Sequence, residues 1–361
     1  MKFAPFQLWQ VPEGSSVEEV TWRETELMIK SEDLGYDATY LAEHHFCTYS
    51  PSGAPAVALA YVAGRTKRIR LGTAVSVLPL HHPLTLAEEW ATVDVYSEGR
   101  LEFGVGRGYN YFEFDSMGVD LQENTARFVE GLKIMEQAWT GGRFDYEGKF
   151  YNIKDTKVYP TPLQKPHPPM WYASIRKESV AMAANLGLGS CTVFDASPHD
   201  ILDRRQVWTD TARKAGRSEE WMQDTLENTP QQRIIWVADT DRQAEDECRE
   251  MLSNFAGLAG ACGWPGTAYP GRTIDVDSVD PAYRQRLTQG WLETRLDWDI
   301  LEKNYSVLVG SPKTVRIKIE ELLSQVPMEY MLMWTSIGGP PWEAQERCLK
   351  LFANEVMPHF K

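Results

Sequence analysis

Cysteine is scarce in this chain of 361 residues: there are five, Cys47, Cys191, Cys248, Cys262 and Cys348, and no two stand within four positions of each other. An odd, dispersed set of this kind suggests neither a disulfide framework nor a clustered structural zinc site. Positive charge is in deficit, with 37 Lys and Arg against 51 Asp and Glu, a net charge of −14 and a pI near 5.1. Nucleic acid, which calls for clustered positive charge, is therefore not an expected partner. No apolar run approaches the roughly 18–20 residues that span a bilayer, and no basic segment leads into an apolar one at the N-terminus. A soluble, cytoplasmic protein without membrane partners is expected. Internal repeats of solenoid length and low-complexity tracts are also missing.

What is present suits a large globular core: 43% of residues are hydrophobic and 24% charged, far from the composition of disordered chains. Strand-like segments at 3–9, 38–42, 69–77, 101–105, 170–173, 189–193, 233–237 and 330–334 alternate with helical patterns. The helices are expected at about 16–34, 55–63, 83–96, 125–139, 178–185, 198–215, 241–252 and 342–352. Strands alternating with helices of this length imply parallel pairing with right-handed crossovers. Eight such units close most economically into an α/β TIM (β/α)8 barrel, expected to occupy residues 1–361 as one domain. Residues 144–158 read as a hairpin excursion, and the five prolines of 160–169 as a rigid surface connector. A long insertion, about 253–311 between the seventh and eighth strands, carries Gly257, Gly260, Gly263, Gly266 and Gly271, and a helix near 289–301. Segments of that length commonly serve as active-site lids.

Barrel active sites lie at the C-terminal ends of the strands, so the exit residues form the candidate list. The chain has seven histidines, and four of them, His44, His45, His81 and His82, leave the second and third strands. Adjacent histidines in extended backbone point apart and do not grip one metal together. His81 and His82, flanked by Pro79 and Pro83, serve equally to shape the start of the next helix. FGVGRGYN (103–110) has the spacing G-x-G-x-G, which does not match the dinucleotide fingerprint. Glycines around a lone Arg107 do permit close backbone approach to a phosphate held bidentately.

These segments resemble the bacterial luciferase-like, flavin-dependent monooxygenases: AEHHF (42–46), RIRLGTAVSVLPLHHPLTLAEE (68–89), GRLEFGVGRGY (99–109) and GVD (118–120) follow one another at that family's spacing. The resemblance covers most of the first 190 residues, is closer to the luciferase α chain than to the coenzyme F420 branch, and implies a TIM barrel binding reduced FMN (FMNH2). It further implies a separate NAD(P)H:flavin reductase, a homodimer packed through the early helices, and oxidation of a small, largely apolar substrate by O2 through a C4a-(hydro)peroxyflavin. His44 matches the catalytic histidine. The implied flavin contacts are Glu43, Ala74 and Val75 (where the family holds a non-proline cis peptide), Gly106, Arg107, Tyr109, Ala173, Ser174 and Ile175; no metal is implied. Family luciferases carry a cysteine where this chain has Gly106, and an acidic residue then serine where it has Ser174-Ile175, so light emission is not expected. Trp9, Tyr40, Phe46, Tyr109, Tyr111, Trp171 and Phe194, at or near strand ends, are candidates to line a dry cavity. The alternatives are an F420- or FMN-dependent dehydrogenase on the same barrel, a non-catalytic flavin-binding protein, and, on the histidines alone, a metal-dependent hydrolase.

Overall fold

A computed structural model describes residues 1–261 and 296–361. Nine strands form one all-parallel sheet: β1 (Lys2–Gln7), β2 (Ala38–Leu41), β3 (Arg70–Val77), β4 (Leu101–Gly106), β7 (Met170–Ser174), β8 (Gly189–Thr192), β9 (Gln231–Val237), β10 (Val307–Gly310) and β11 (Tyr330–Trp334). Their order is β10-β9-β11-β1-β2-β3-β4-β7-β8. The expected excursion is the antiparallel hairpin of β5 (Phe144–Glu147) and β6 (Asn152–Thr156).

Local chemistry sets the helix boundaries. α1 (Val17–Asp33) starts where the Ser16 hydroxyl accepts from the Glu19 N–H at 3.1 Å and ends before Gly35, whose φ of +80° suits a residue without a side chain. Proline occupies the first turn of α2 (Pro55–Arg65) and α3 (Pro83–Tyr96), where its missing N–H removes no helical bond. His82 is a cap for α3, its Nδ1 accepting from the Leu84 N–H at 3.3 Å. α5 (Asn124–Trp139), α6 (Lys177–Asn185), α7 (Pro198–Lys214) and α12 (Trp342–Leu351) also fall where the pattern placed them. α7 begins with a reciprocal Ser197–Asp200 capping box.

Three helices, α4 (Tyr111–Ser116), α8 (Glu219–Asn228) and α11 (Pro312–Gln325), were not foreseen. The segment expected as an insertion also carries regular structure. Its first residues continue α9 (Asp241–Ala261), its last form α10 (Trp298–Lys303) and β10, and β10 makes a ninth strand where eight were expected. The centre of the expected lid, and most of the helix placed at 289–301, lie outside the described residues.

Strand β9 changes partner along its length. Its first half pairs with β11, Gln231 opposite Met331, and its second half with β10, Gly310 opposite Val237. The sheet curls until β8 meets β9, and there side chains stand in for a backbone ladder. Gln231 Oε1 accepts from the Thr192 N–H (3.1 Å) and hydroxyl (2.6 Å), Gln231 Nε2 donates to Ser190 O at 3.1 Å, and Gln232 Oε1 accepts from the Phe194 N–H at 3.2 Å. The fully buried Arg233 donates to the carbonyls of Phe194, Gln232 and Ala196, tying the loop after β8 to the same strand.

The core runs along both faces of the sheet, from Phe3, Tyr40, Leu71 and Phe103 to Leu27, Leu59, Trp90 and Met135 on the covering helices. Each such side chain, fully buried, contributes about 1.5–3 kcal/mol. The strand directions bring the exits of β1, β2, β3, β4, β7, β8, β9 and β11 to one end.

Candidate active site

At that end lies a cavity of about 220 Å³. Its walls are Phe6 on β1 and Leu8 after it, Ala42, Glu43 and His44 after β2, Ala74, Val75 and Val77 on β3, and Gly106 at the end of β4 with Arg107, Gly108 and Tyr109 after it. Tyr172, Ala173, Ile175 and Arg176 of the β7 exit, Val193 and Phe194 after β8, Gln232 and Trp334 complete the circuit, with Tyr49, Glu113 and Ser179. Nine of the ten expected site residues therefore meet around one cavity. Ser174 does not: it is fully buried at the end of β7, and its hydroxyl donates to Tyr172 O at 3.5 Å. The Ala74–Val75 peptide is cis.

His44 is positioned from below by a residue the sequence reading passed over. Glu113, in the first turn of α4, lies 2.7 Å from His44 Nδ1 through Oε1, and the same oxygen accepts from the His45 N–H at 3.1 Å. With Nδ1 donating to this carboxylate, the tautomer is set and Nε2 is left for the cavity. Burial works against charge on His44, but the Glu113 carboxylate outweighs it by charge and hydrogen bond, with Cys47 and Glu43 adding, so the imidazole is lifted above its ordinary pKa. Rings of Tyr49 and Tyr109 pack edge-on against it at 5.0 and 5.9 Å.

Glu43 organises a second cluster. Its Oε1 accepts from His81 Nε2 at 2.7 Å and lies 3.1 Å from His45 Nε2; its Oε2 accepts from the Val77 N–H (3.1 Å) and the Ser76 hydroxyl (3.3 Å). Burial alone raises such a carboxyl, yet the two imidazoles hold it down at about 2. His81 is raised in turn, Glu43 overcoming the effect of burial. One ligand atom each from Glu43, His45 and His81 lies within 4.8 Å of the others, a spacing that suits a cation by geometry. Here it is filled by the hydrogen bonds just described. The adjacent pairs thus diverge: His44 faces the cavity and His45 backs onto Glu43, while His81 joins that cluster and exposed His82 caps a helix.

On the neighbouring wall the charge is positive. Arg107 donates from Nη1 to Thr125 Oγ1 at 2.8 Å, keeping further donors, and Arg176 stands at the N-cap of α6. The first N–H groups of a helix lack intrahelical acceptors and favour an anion. The Tyr172 hydroxyl lies on the same wall, pushed up to about 12 by burial despite the nearby Arg107 charge. Glycine is required at two points there. A Cβ on Gly106 would come within 2.5 Å of Val75 Cγ2, and Gly108, at φ +73°, would place one 2.5 Å from the Phe114 ring. The aromatic expectations divide. Tyr109 and Phe194 line the cavity, whereas Tyr40 and Trp171 pack on each other deeper in the sheet and Phe46 is exposed. Trp9 and Tyr111 are not cavity-lining, while Phe6, Tyr49, Tyr172 and Trp334 are.

Residues 1–328 match the family model described as luciferase-like monooxygenase. The chain belongs to the luciferase-like monooxygenase family. Among its relatives, the uncharacterised protein y4vJ of Sinorhizobium fredii is 42% identical over 178 residues, 49% of this chain, and the match spans only half of that protein's length. An alkanal monooxygenase alpha chain of Photorhabdus laumondii is 28% identical over 100% of this chain and 98% of its own. The oxygenase component of a flavin-dependent trigonelline monooxygenase of Acinetobacter baylyi is 27% identical over 90% and 86%. The fold is shared with monooxygenase RslO1 of Streptomyces bottropensis (TM-score 0.80, 24% identity, all of both chains). It is shared also with the oxygenating constituent of 3,6-diketocamphane monooxygenase of Pseudomonas putida, solved with FMN (0.77, 20%, 100% and 99%), and with an F420-dependent secondary alcohol dehydrogenase (0.74, 15%, 100% and 99%).

Gly106 is the position where the resemblance gives family luciferases a cysteine, and in this chain Val75 fills the space a side chain there would need. Among the described residues, no helix is long and apolar enough to cross a membrane.

Proposed function

We propose that this chain is the oxygenase component of a two-component, FMN-dependent monooxygenase, a single (β/α)8-barrel domain fed with reduced FMN by a separate NAD(P)H:flavin reductase. The observation that carries the reading is the continuity of one wall: His44 with Glu113, the Ala74–Val75 strip, the Gly106–Arg107 turn and the N-terminus of α6 all border the same cavity. Arg107, Arg176 and the α6 N–H groups fit a phosphate. Ala74, Val75 and Val77 offer an apolar surface for a flat ring, and Gly106 lets the backbone come close. Bound reduced FMN supplies the two electrons with which one atom of O2 enters the substrate and the other leaves as water.

The protein's share is positioning and proton control. His44 Nε2 presents a proton to the reacting oxygen, and Glu113 holds the ring and stabilises its charged form. Phe6, Leu8, Phe194 and Trp334 keep water from the reaction space. A second copy of the chain is proposed to pack on the outer face of α1 and α2, where Trp22 and Tyr61 stand edge-on at 5.9 Å and Val57 lies one turn before Tyr61 on α2, all exposed.

The test is anaerobic titration with reduced FMN and, separately, reduced F420, followed by mixing with O2 and a panel of small apolar substrates. Tighter binding of reduced FMN and oxygenated product in preference to H2O2 is expected. Preference for F420 would instead make the protein a dehydrogenase, and H2O2 equal to flavin oxidised with every substrate would make it a flavin-binding protein. Replacing His44 by Asn should lower oxygenated product per flavin about 10²- to 10⁴-fold, and undiminished product would remove His44 from the reaction.

A further inference from the structure

Opposite the wall assigned to the flavin, the cavity is apolar except at one point. Gln232 stands on β9, four strands from β3 along the sheet order, and lines the cavity although it is 8% exposed. Its carboxamide is oriented by a single bond, the Phe194 N–H donating to Oε1 at 3.2 Å. Because the two ends of an amide point apart, an oxygen fixed in this way directs the NH2 group elsewhere. Among the described residues that NH2 has no hydrogen-bond acceptor, and it is not among the donors sealed away inside the protein. It therefore faces the cavity. Around it are Phe6, Val193, Phe194 and Trp334, with Trp334 in edge contact with Phe6 at 5.8 Å and Phe194 at 5.4 Å.

An oriented, nearly buried donor in an apolar chamber selects by penalty as well as by attraction. A ligand that covers it without supplying an acceptor leaves it unpaired, and a ligand with an acceptor oxygen at that point relieves it. The amide is neutral, and Arg107 and Arg176 belong to the β4 and β7 exits, so the complementary group is a neutral acceptor. We propose that Gln232 is a specificity-determining residue whose NH2 donates to the carbonyl oxygen of a compact, otherwise apolar substrate. This rests on the monooxygenase reading of the same cavity and narrows its substrate to ketones, aldehydes and their like.

The test compares cyclohexanone with its hydrocarbon isostere methylenecyclohexane, which differs only in replacing the carbonyl oxygen by CH2. Binding is followed by calorimetry and tryptophan fluorescence, in FMN-loaded and flavin-free protein. Wild type is expected to bind the ketone about tenfold more tightly, the ratio for one net hydrogen bond. In Q232E, titrated at about pH 9.5 so that even a buried carboxyl is ionised, the side chain still accepts from Phe194 but has no hydrogen to donate. There the ratio should fall to about one or below. Q232L should also lose the preference without introducing charge. A ratio near one in wild type, or a preference surviving in both variants, overturns the proposal. A merely structural Gln232 would weaken both probes equally in Q232L and neither in Q232E. FMN affinity, measured separately, bears on the flavin reading alone, and the flavin-free titration decides Gln232 even where FMN does not bind.

Discussion

The His44 imidazole is lifted above its ordinary pKa chiefly by one neighbour. Burial alone would lower it, and the Glu113 carboxylate at 2.7 Å reverses that. A histidine whose folded pKa is raised stabilises the fold fully below its unfolded pKa and loses that contribution as pH rises through the folded value. Replacing Glu113 by Gln removes that charge and leaves burial opposed by Cys47 and Glu43. The His44 pKa, read by imidazole NMR, should then fall, and the stability lost as pH rises through the folded value should shrink. An unchanged titration would show that Glu113 does not set the charge. His44 itself was legible from AEHHF, and Arg107 from its glycine-flanked position. Glu113 was not, because it sits in a six-residue helix too short to leave a periodic signal, 69 positions from its partner.

At the scale of elements, the contact between α1 and α12 has a cost that varies with pH. Glu24 is buried on α1 and accepts at 3.2 Å from Gln345 Nε2 of α12, which also donates to Gln7. Burial pushes its carboxyl up from 4.5 to about 8, with the Gln345 bond opposing. Since the folded value lies above the unfolded one, the neutral form is the stable one. The fold is therefore progressively weakened as pH rises from about 4.5 towards 8. Glu24→Gln keeps an acceptor and removes the charge. Its stability in thermal unfolding should differ little from wild type at pH 5 and be greater by about 2–4 kcal/mol at pH 8.5. An equal gain at both pH values would exclude ionisation as the cause. Helices with caps and apolar periodicity were read correctly here: Ser16 begins α1, Gly35 ends it, and Pro83 opens α3. β10 was hidden because four apolar residues before a proline helix look like a loop until β9 offers them an edge.

For the whole molecule, a second copy on the α1 and α2 face should make the protein dimeric. Trp22, 59% exposed, and Val57, 71% exposed, are far more accessible than apolar residues of the core. Sedimentation at micromolar concentration should show a dimer, and Trp22→Glu with Val57→Glu should yield monomers that keep FMN affinity, since neither residue lines the cavity. A wild-type monomer would overturn that contact. Alternation of strands and helices, the glycine turns and the family strings of the first half are local patterns, so the sequence by itself determined the parallel α/β plan and named ten site residues of which nine line the cavity. The closure of β8 onto β9 through Gln231 and Gln232, the pairing of His44 with Glu113, and the inward turn of the Gln232 amide were decided only by the tertiary structure. Each depends on which of a side chain's two ends meets a partner from a distant strand or helix, and no local pattern records that choice.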